Sequence, residues 1–335
     1  MFNPLPLNEA ADRGMAPVAA AINAGRIPGA VLGVIDSDGT SALRHAGHAQ
    51  CAPTQIAMSA DTMFDLASLT KPVFTTTRLL ALVRQGRISL DDPLSAAIPD
   101  LRQYDVANAP ERRLTLRDCL SHRTHLPAVE PLYTYGQDPA TLRAFILQRA
   151  WTPGPAVYSD INFLLAGIAI ERLTGAALGE QPLPEGFSFH PHPNACAATE
   201  FCTWRNRVIR GEVHDENAFA MGGPAGHAGL FGTARSLLGF AHKLLRETPE
   251  ADPIRTLVHA DRTIGWQMAT PGWHGGDRCG PGTIGHTGFT GTGLWIDFAQ
   301  GRAWTLLTNR VHPSRHTDSG IAGLRRAVAH ALWAD

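Results

Sequence analysis

Strand signals in this chain cluster near its two ends, and the long stretch between them reads as helix. Gly29-Ala-Val-Leu-Gly-Val-Ile-Asp36 and Ala42 to Gly47 bracket a Ser-Asp-Gly turn and predict a β-hairpin. Thr263 to Met268, Thr283 to Thr287, Gly293 to Phe298 and Ala303 to Thr308 predict further antiparallel strands. Helical patterns fill the interval: Leu69 to Gly86, Thr115 to His122, Pro139 to Arg149, Ile161 to Thr174 and Ala234 to Glu247. Two more helices are expected at the ends, Glu9 to Ala24 and Asp318 to Trp333. The expected fold is therefore α/β (α+β), an antiparallel sheet flanked by the terminal helices with an all-helical domain inserted between its strands. Residues 1–66 and 250–335 would form the sheet domain and 67–249 the helical one. A cleft between them is where a site is expected. The length of 335 residues agrees with two domains at about 150 residues each.

Ser68-Leu-Thr-Lys71 places a nucleophile and a base one helical turn apart. A serine hydroxyl is a weak nucleophile at neutral pH and needs an adjacent base. Phe64-Asp-Leu-Ala67 runs extended into Ser68, and a helix is expected from Leu69. Pro72 falls in its first turn, where a missing N–H costs nothing. Such a four-residue match also fits a capped surface helix, so it gains force only from partners elsewhere.

Two partners follow in order. Tyr158-Ser-Asp160 comes after the Pro/Gly-rich Trp151-Thr-Pro-Gly-Pro-Ala156 and directly before an apolar helical run. A tyrosine held near an ammonium suits general acid and base work. His286-Thr-Gly288 sits where a strand is expected, with Gly288 read as allowing a substrate close to the strand edge and His286 able to exchange a proton. Each element alone fits a blander role, a half-buried tyrosine or a glycine-rich hairpin.

Together the three motifs resemble those of the serine β-lactamase and penicillin-binding protein superfamily. The match is closest to the branch of class C β-lactamases, low-molecular-weight DD-peptidases and β-lactamase-like esterases. It runs from Ile27-Pro-Gly-Ala-Val-Leu-Gly33 to the C-terminal helix. It includes Gly86-Arg-Ile-Ser-Leu-Asp-Asp-Pro93, Leu114 to His122 and Gly222-Gly-Pro-Ala-Gly-His-Ala-Gly-Leu-Phe-Gly-Thr233. The resemblance implies Ser68 as acyl-enzyme nucleophile, Lys71 as acceptor or relay of its proton, and Tyr158 as the shuttle to leaving group and water. It implies substrate contacts from Asp160, His286, Thr287 and Gly288, and an oxyanion hole from the backbone N–H groups of Ser68 and Phe289. No cofactor and no metal are implied.

Three positions depart from the family pattern: Asp160 where many β-lactamases have Asn, His286 where Lys is common, and Ser121-His-Arg-Thr-His-Leu-Pro127. They leave acyl transfer intact and weigh against a β-lactamase role. The expected activity is a serine hydrolase of carboxylic esters or small amides. DD-carboxypeptidase or D-aminopeptidase action on wall-derived peptides, then β-lactamase, then non-turnover binding of β-lactams or muropeptides, are the alternatives.

A net charge of −1 gives no electrostatic case for nucleic acid or an anionic membrane. The partner expected is a small-molecule ester, amide or peptide, and the oligomeric state is left open. Five scattered cysteines read as reduced thiols, and the N-terminus shows neither a charged n-region nor an 18-residue apolar span, so a cytoplasmic location is expected. Gly179 to Thr199, rich in Pro, His and Gly, takes no assignment. His190, His192 and His214 match no known metal-ligand spacing.

Overall fold

A computed structural model describes residues 4–246 and 251–334 of the chain. The end of the expected helix at Glu247, the domain boundary at 249/250 and the first residues of the N-terminus lie outside these. The central feature is an antiparallel sheet of eight strands. In spatial order these are Ile56–Ala57, Ser41–Gln50, Gly29–Asp36, Arg302–Thr308, Thr292–Asp297, Ile284–Thr287, Trp266–Met268 and Arg262–Thr263. Both ends of the chain thus feed one sheet, joined where Gly29–Asp36 pairs with Arg302–Thr308 in the register Ala30 opposite Thr308 to Asp36 opposite Arg302. At that seam the guanidinium of Arg302 forks onto the Asp36 carboxylate, with Nε 2.7 Å from Oδ1 and Nη2 3.0 Å from Oδ2.

The seam strands are apolar on both faces because each face carries a helical layer. Ala30, Leu32 and Val34 point, with Trp304 and Leu306, into a core closed by helices Leu7–Asn23 and Ile321–Ala331. The intervening residues Val31, Ile35, Ala303 and Leu307 face the opposite core, as the period of two requires. Helix Ala234–Leu245 packs on that second face, so this helix, expected in the inserted domain, belongs to the sheet layer.

The inserted helices gather around Asp160–Thr174. Its residues from Ile161 to Ile170 are all buried, the mark of a helix enclosed on every side. The expected helix from Leu69 to Gly86 is not one regular element. It begins as a 3₁₀ turn over Ala67–Leu69, widens to a π-helix over Lys71–Thr76, and becomes α-helical over Thr77–Arg84. Pro72 explains the widening: inside an α-helix its ring would strike the carbonyl four residues back, that of Ser68, and it has no N–H to bond it. The expected strand Thr263 to Met268 is broken at Gly265, whose φ of +82° and N–H bond to the Leu120 carbonyl make a turn. Two small sheets went unread in the sequence: the hairpin Ala198–Cys202 with Arg207–Arg210, and a trio in which Phe231–Gly232 lies between Phe64–Asp65 and Phe187–Ser188. The trio anchors the extended run into Ser68.

Candidate active site

Backbone strain lies directly before Ser68. Ala67, a residue with a Cβ, is held at φ +47° immediately before Ser68. Asp65 fixes that turn: its buried carboxylate accepts the Ala67 N–H at 2.8 Å and the His214 N–H at 2.6 Å. Leu66 donates to the Leu230 carbonyl, and Leu230 donates to Thr70 Oγ1, so the glycine-rich block 222–232 braces the same turn from behind.

Lys71 is wholly buried beneath Ser68. Its Nζ donates to Ser68 Oγ at 2.9 Å and to the His227 carbonyl at 3.2 Å, and lies 2.7 Å from Asp160 Oδ1. Burial by itself would strip the proton from this amine. The attraction of Asp160, with a further contribution from the Tyr158 oxygen, outweighs burial and holds the Lys71 pKa above that of a free lysine. The side chain is therefore an ammonium at rest. Asp160 reaches it from the first turn of helix Asp160–Thr174, and the Tyr158 ring centre is 5.0 Å from the same nitrogen.

Tyr158 is oriented by a histidine that sequence reasoning did not single out. His122 stacks on its ring at 4.4 Å between centroids, packs on Phe163 at 5.2 Å, and accepts the Ser159 N–H on Nδ1 at 3.0 Å. Burial, then the charges of Arg262 and Lys71, push the His122 pKa far down, so it acts as a neutral wedge. Its signal was the departure at 121–127.

His286 is also neutral. It is buried, and burial together with Lys71, His122, His274 and Arg262 drives its pKa well below the ordinary histidine range. Nδ1 lies 3.0 Å from the Thr287 carbonyl, which places the proton on Nδ1 and leaves the Nε2 lone pair free. A charged anchor at this position is thereby excluded near neutral pH.

Gly288 is packed closely within the fold. A Cβ there would sit 2.1 Å from Thr292 Oγ1 and 2.5 Å from the Leu66 carbonyl, so Gly288 permits a close approach of the segment that leads into Ser68. We expect Gly288→Ala to push the Leu66–Ser68 turn outward, costing about 1–3 kcal/mol of stability and at least about tenfold in kcat/KM. Urea unfolding and steady-state kinetics on one preparation check both; full activity in the variant would show that the turn tolerates the shift.

Ser68, Tyr158, Asp160, His286, Thr287 and Phe289 line one cleft of about 550 Å³. The structure adds Arg262, Gln267 and His274 at one end and His214, Asp215, Glu216 and Arg315 at the other. His214 stacks against Phe289 at 5.6 Å, and Arg315 is gripped by Glu200 and Glu216, each at 2.6 Å. Burial would raise the Glu200 carboxyl, but hydrogen bonds from Arg315 and His214 hold it at about 2. That depressed value contributes stability present above pH 4.5, the ordinary glutamate pKa, and lost as pH falls toward 2. Acid titration of unfolding free energy should therefore be less steep in Glu200→Gln than in wild type over that window. Among the described residues no group of three or more His, Cys, Asp or Glu side chains is placed to hold a metal ion, and no helix is long and apolar enough to cross a membrane.

A family model described as Beta-lactamase matches residues 7–328 of the chain. The chain belongs to the beta-lactamase family. Among its relatives is a Bacillus subtilis protein named N-acetylmuramyl-L-alanine amidase, 31% identical over 311 residues, 76% of this chain and 69% of the relative. A Salmonella agona protein, provisionally named D-alanyl-D-alanine carboxypeptidase, is 28% identical over 89% of this chain and 80% of its own length. Among solved structures, a hydrolase with promiscuous acyltransferase activity, EstCE1, superposes with a TM-score of 0.75 at 19% identity, covering 97% of this chain and 99% of that one. A class C beta-lactamase gives the same TM-score at 16% identity over 97% of this chain and 99% of its own. The mixed fold with its antiparallel sheet is thus the one these hydrolases share, and this beta-lactamase-family chain is a serine hydrolase.

Proposed function

We propose that the enzyme hydrolyses small carboxylic esters and amides through an acyl-enzyme on Ser68, with Lys71 and Tyr158 as its proton and charge machinery. The observation that carries this reading is the buried Lys71 ammonium donating to Ser68 Oγ at 2.9 Å while paired to Asp160. An ammonium is a poor proton acceptor, so Lys71 stabilises the serine oxygen as it loses its proton. Tyr158, beside the ammonium and facing the same cleft, relays that proton, taking it up as its own O–H proton moves on to the leaving group. The backbone N–H groups of Ser68 and Phe289 bond no other residue among the described residues, which leaves both available to an oxyanion. Asp160, His286 and Thr287 border the acyl group, and Gly288 keeps the Ser68 turn against the strand.

The test is rapid mixing with 4-nitrophenyl butyrate. The expected result is a burst of about one nitrophenol per chain, with mass spectrometry placing a butyryl group on Ser68. Absence of any ester hydrolysis would overturn the reading.

A second reading, cleavage of amides in wall-derived peptides, is favoured by the names of the amidase and carboxypeptidase relatives. Release of alanine or of peptide from a muramyl or D-alanyl substrate would place amides ahead of esters. A β-lactamase role is disfavoured by the neutral His286 and by Asp160, whose carboxylate replaces an amide donor.

A further inference from the structure

Arg325 is a buried cation with no part in the chemistry described so far. It projects from the C-terminal helix Ile321–Ala331. No carboxylate pairs with it among the described residues. Instead its Nη2 donates to the carbonyls of Gly288 at 3.0 Å and Thr292 at 2.8 Å, and its Nε has no acceptor. Burial, then the nearby charge of Arg310, lowers its pKa to about 9, which leaves it charged at neutral pH. A buried charge without a counter-charge destabilises a fold, so its presence calls for a reason beyond packing.

Closing the turn at 288–292 is not that reason. The Gly288 N–H already donates to the Thr292 carbonyl at 2.9 Å, and the Gly291 N–H to the Gly288 carbonyl at 3.1 Å. The turn is also fastened to the segment before Ser68. Thr290 Oγ1 donates to the Asp65 carbonyl at 2.8 Å, and Thr292 Oγ1 to the Leu66 carbonyl at 3.0 Å. Without the guanidinium, both of its carbonyl partners keep a bond.

What the guanidinium adds is charge on one particular peptide. The Gly288 carbonyl and the Phe289 N–H belong to the same planar trans unit and point opposite ways, so a cation on the oxygen lies behind the N–H. A peptide whose oxygen accepts from a cation is polarised, and its N–H becomes a stronger donor. That N–H bonds no other residue among the described residues. The following carbonyl, of Phe289, accepts from Arg310 Nε at 2.8 Å, so the peptide is held on both sides.

We propose that Arg325 is a positioning residue of the oxyanion hole. It aligns and polarises the Gly288–Phe289 peptide, whose N–H then stabilises the negative charge formed on the substrate carbonyl oxygen as Ser68 attacks. This inference rests on the Ser68 acyl-enzyme reading above. Its effect grows where charge develops, in the tetrahedral state, and is small for the bound ester.

The test compares 4-nitrophenyl butyrate with its thiono analogue, in which sulfur replaces the carbonyl oxygen and accepts hydrogen bonds weakly. Arg325→Met removes the charge and nearly keeps the volume. It is expected to lower kcat/KM at least about tenfold for the oxygen ester, mainly in kcat, and less than about threefold for the thiono ester. Its urea midpoint should be no lower than that of wild type, because the change removes an uncompensated buried charge. Arg325→Gln, which keeps a neutral donor, should show the same selective loss and supplies the comparison if the methionine variant does not fold. Equal losses on the two esters, or wild-type rates in either folded variant, would overturn the inference and leave the acyl-enzyme reading standing. Hydrolysis of neither ester by wild type would overturn both.

Discussion

Ser68→Ala is expected to lower kcat/KM for 4-nitrophenyl butyrate by on the order of 10⁴-fold or more, because among the described residues no other serine or threonine hydroxyl accepts from the Lys71 ammonium. The fold should not notice the change. Ser68 Oγ is one of several Lys71 partners, and the Asp160 pair and the His227 carbonyl bond remain. Unfolding free energies within about 1 kcal/mol of each other are expected for variant and wild type. Turnover by Ser68→Ala within tenfold of wild type would remove the nucleophile assignment, whatever the stability data showed.

Lys71→Ala should fail on both counts. Removing a fully buried cation leaves the Asp160 carboxylate without its counter-charge, which costs about 3–5 kcal/mol of stability, and strips the charge from beside the serine oxygen. Activity should drop by about 10³-fold or more. Removing both partners in Lys71→Met with Asp160→Asn should recover most of the stability and none of the activity, since the two replacements leave no unpaired charge. A double variant as unstable as Lys71→Ala would show that packing rather than charge holds this site. The pair also has a sign in pH. Folded Lys71 binds its proton more tightly than the ordinary lysine value of 10.5, so its contribution is complete below pH 10.5 and is lost as pH rises beyond it. Urea unfolding at pH 8 and pH 11 should show a fall in wild type that the double variant lacks.

Structure in this chain is specified at two ranges. Alternating apolar residues at Gly29–Asp36 and Arg302–Thr308 are local patterns, and so is the i, i+3 spacing of Ser68 and Lys71. These were legible, and with them the sheet, most helices and the three motifs of the cleft. The helix after Ser68 was legible only in outline, because one proline converts its first turns to 3₁₀ and π geometry. The Gly288 packing was not legible for a different reason: the atoms that fill its Cβ position belong to Leu66 and Thr292, and the first lies more than two hundred residues away in sequence.

Ser68, Lys71, Tyr158, Asp160 and His286 could be picked out from the amino-acid order alone, along with the mixed fold that presents them. The tertiary structure decided their charge states and their company. Lys71 is an ammonium because Asp160 and Tyr158 arrive from nearly ninety residues downstream to outweigh its burial, and His286 is neutral because burial and four other groups converge on it. Arg262, Gln267 and His122 enter the site in the same way, through strand pairing and ring stacking. Protonation depends on desolvation and on charges within a few ångströms, and those distances exist only once distant segments are packed together.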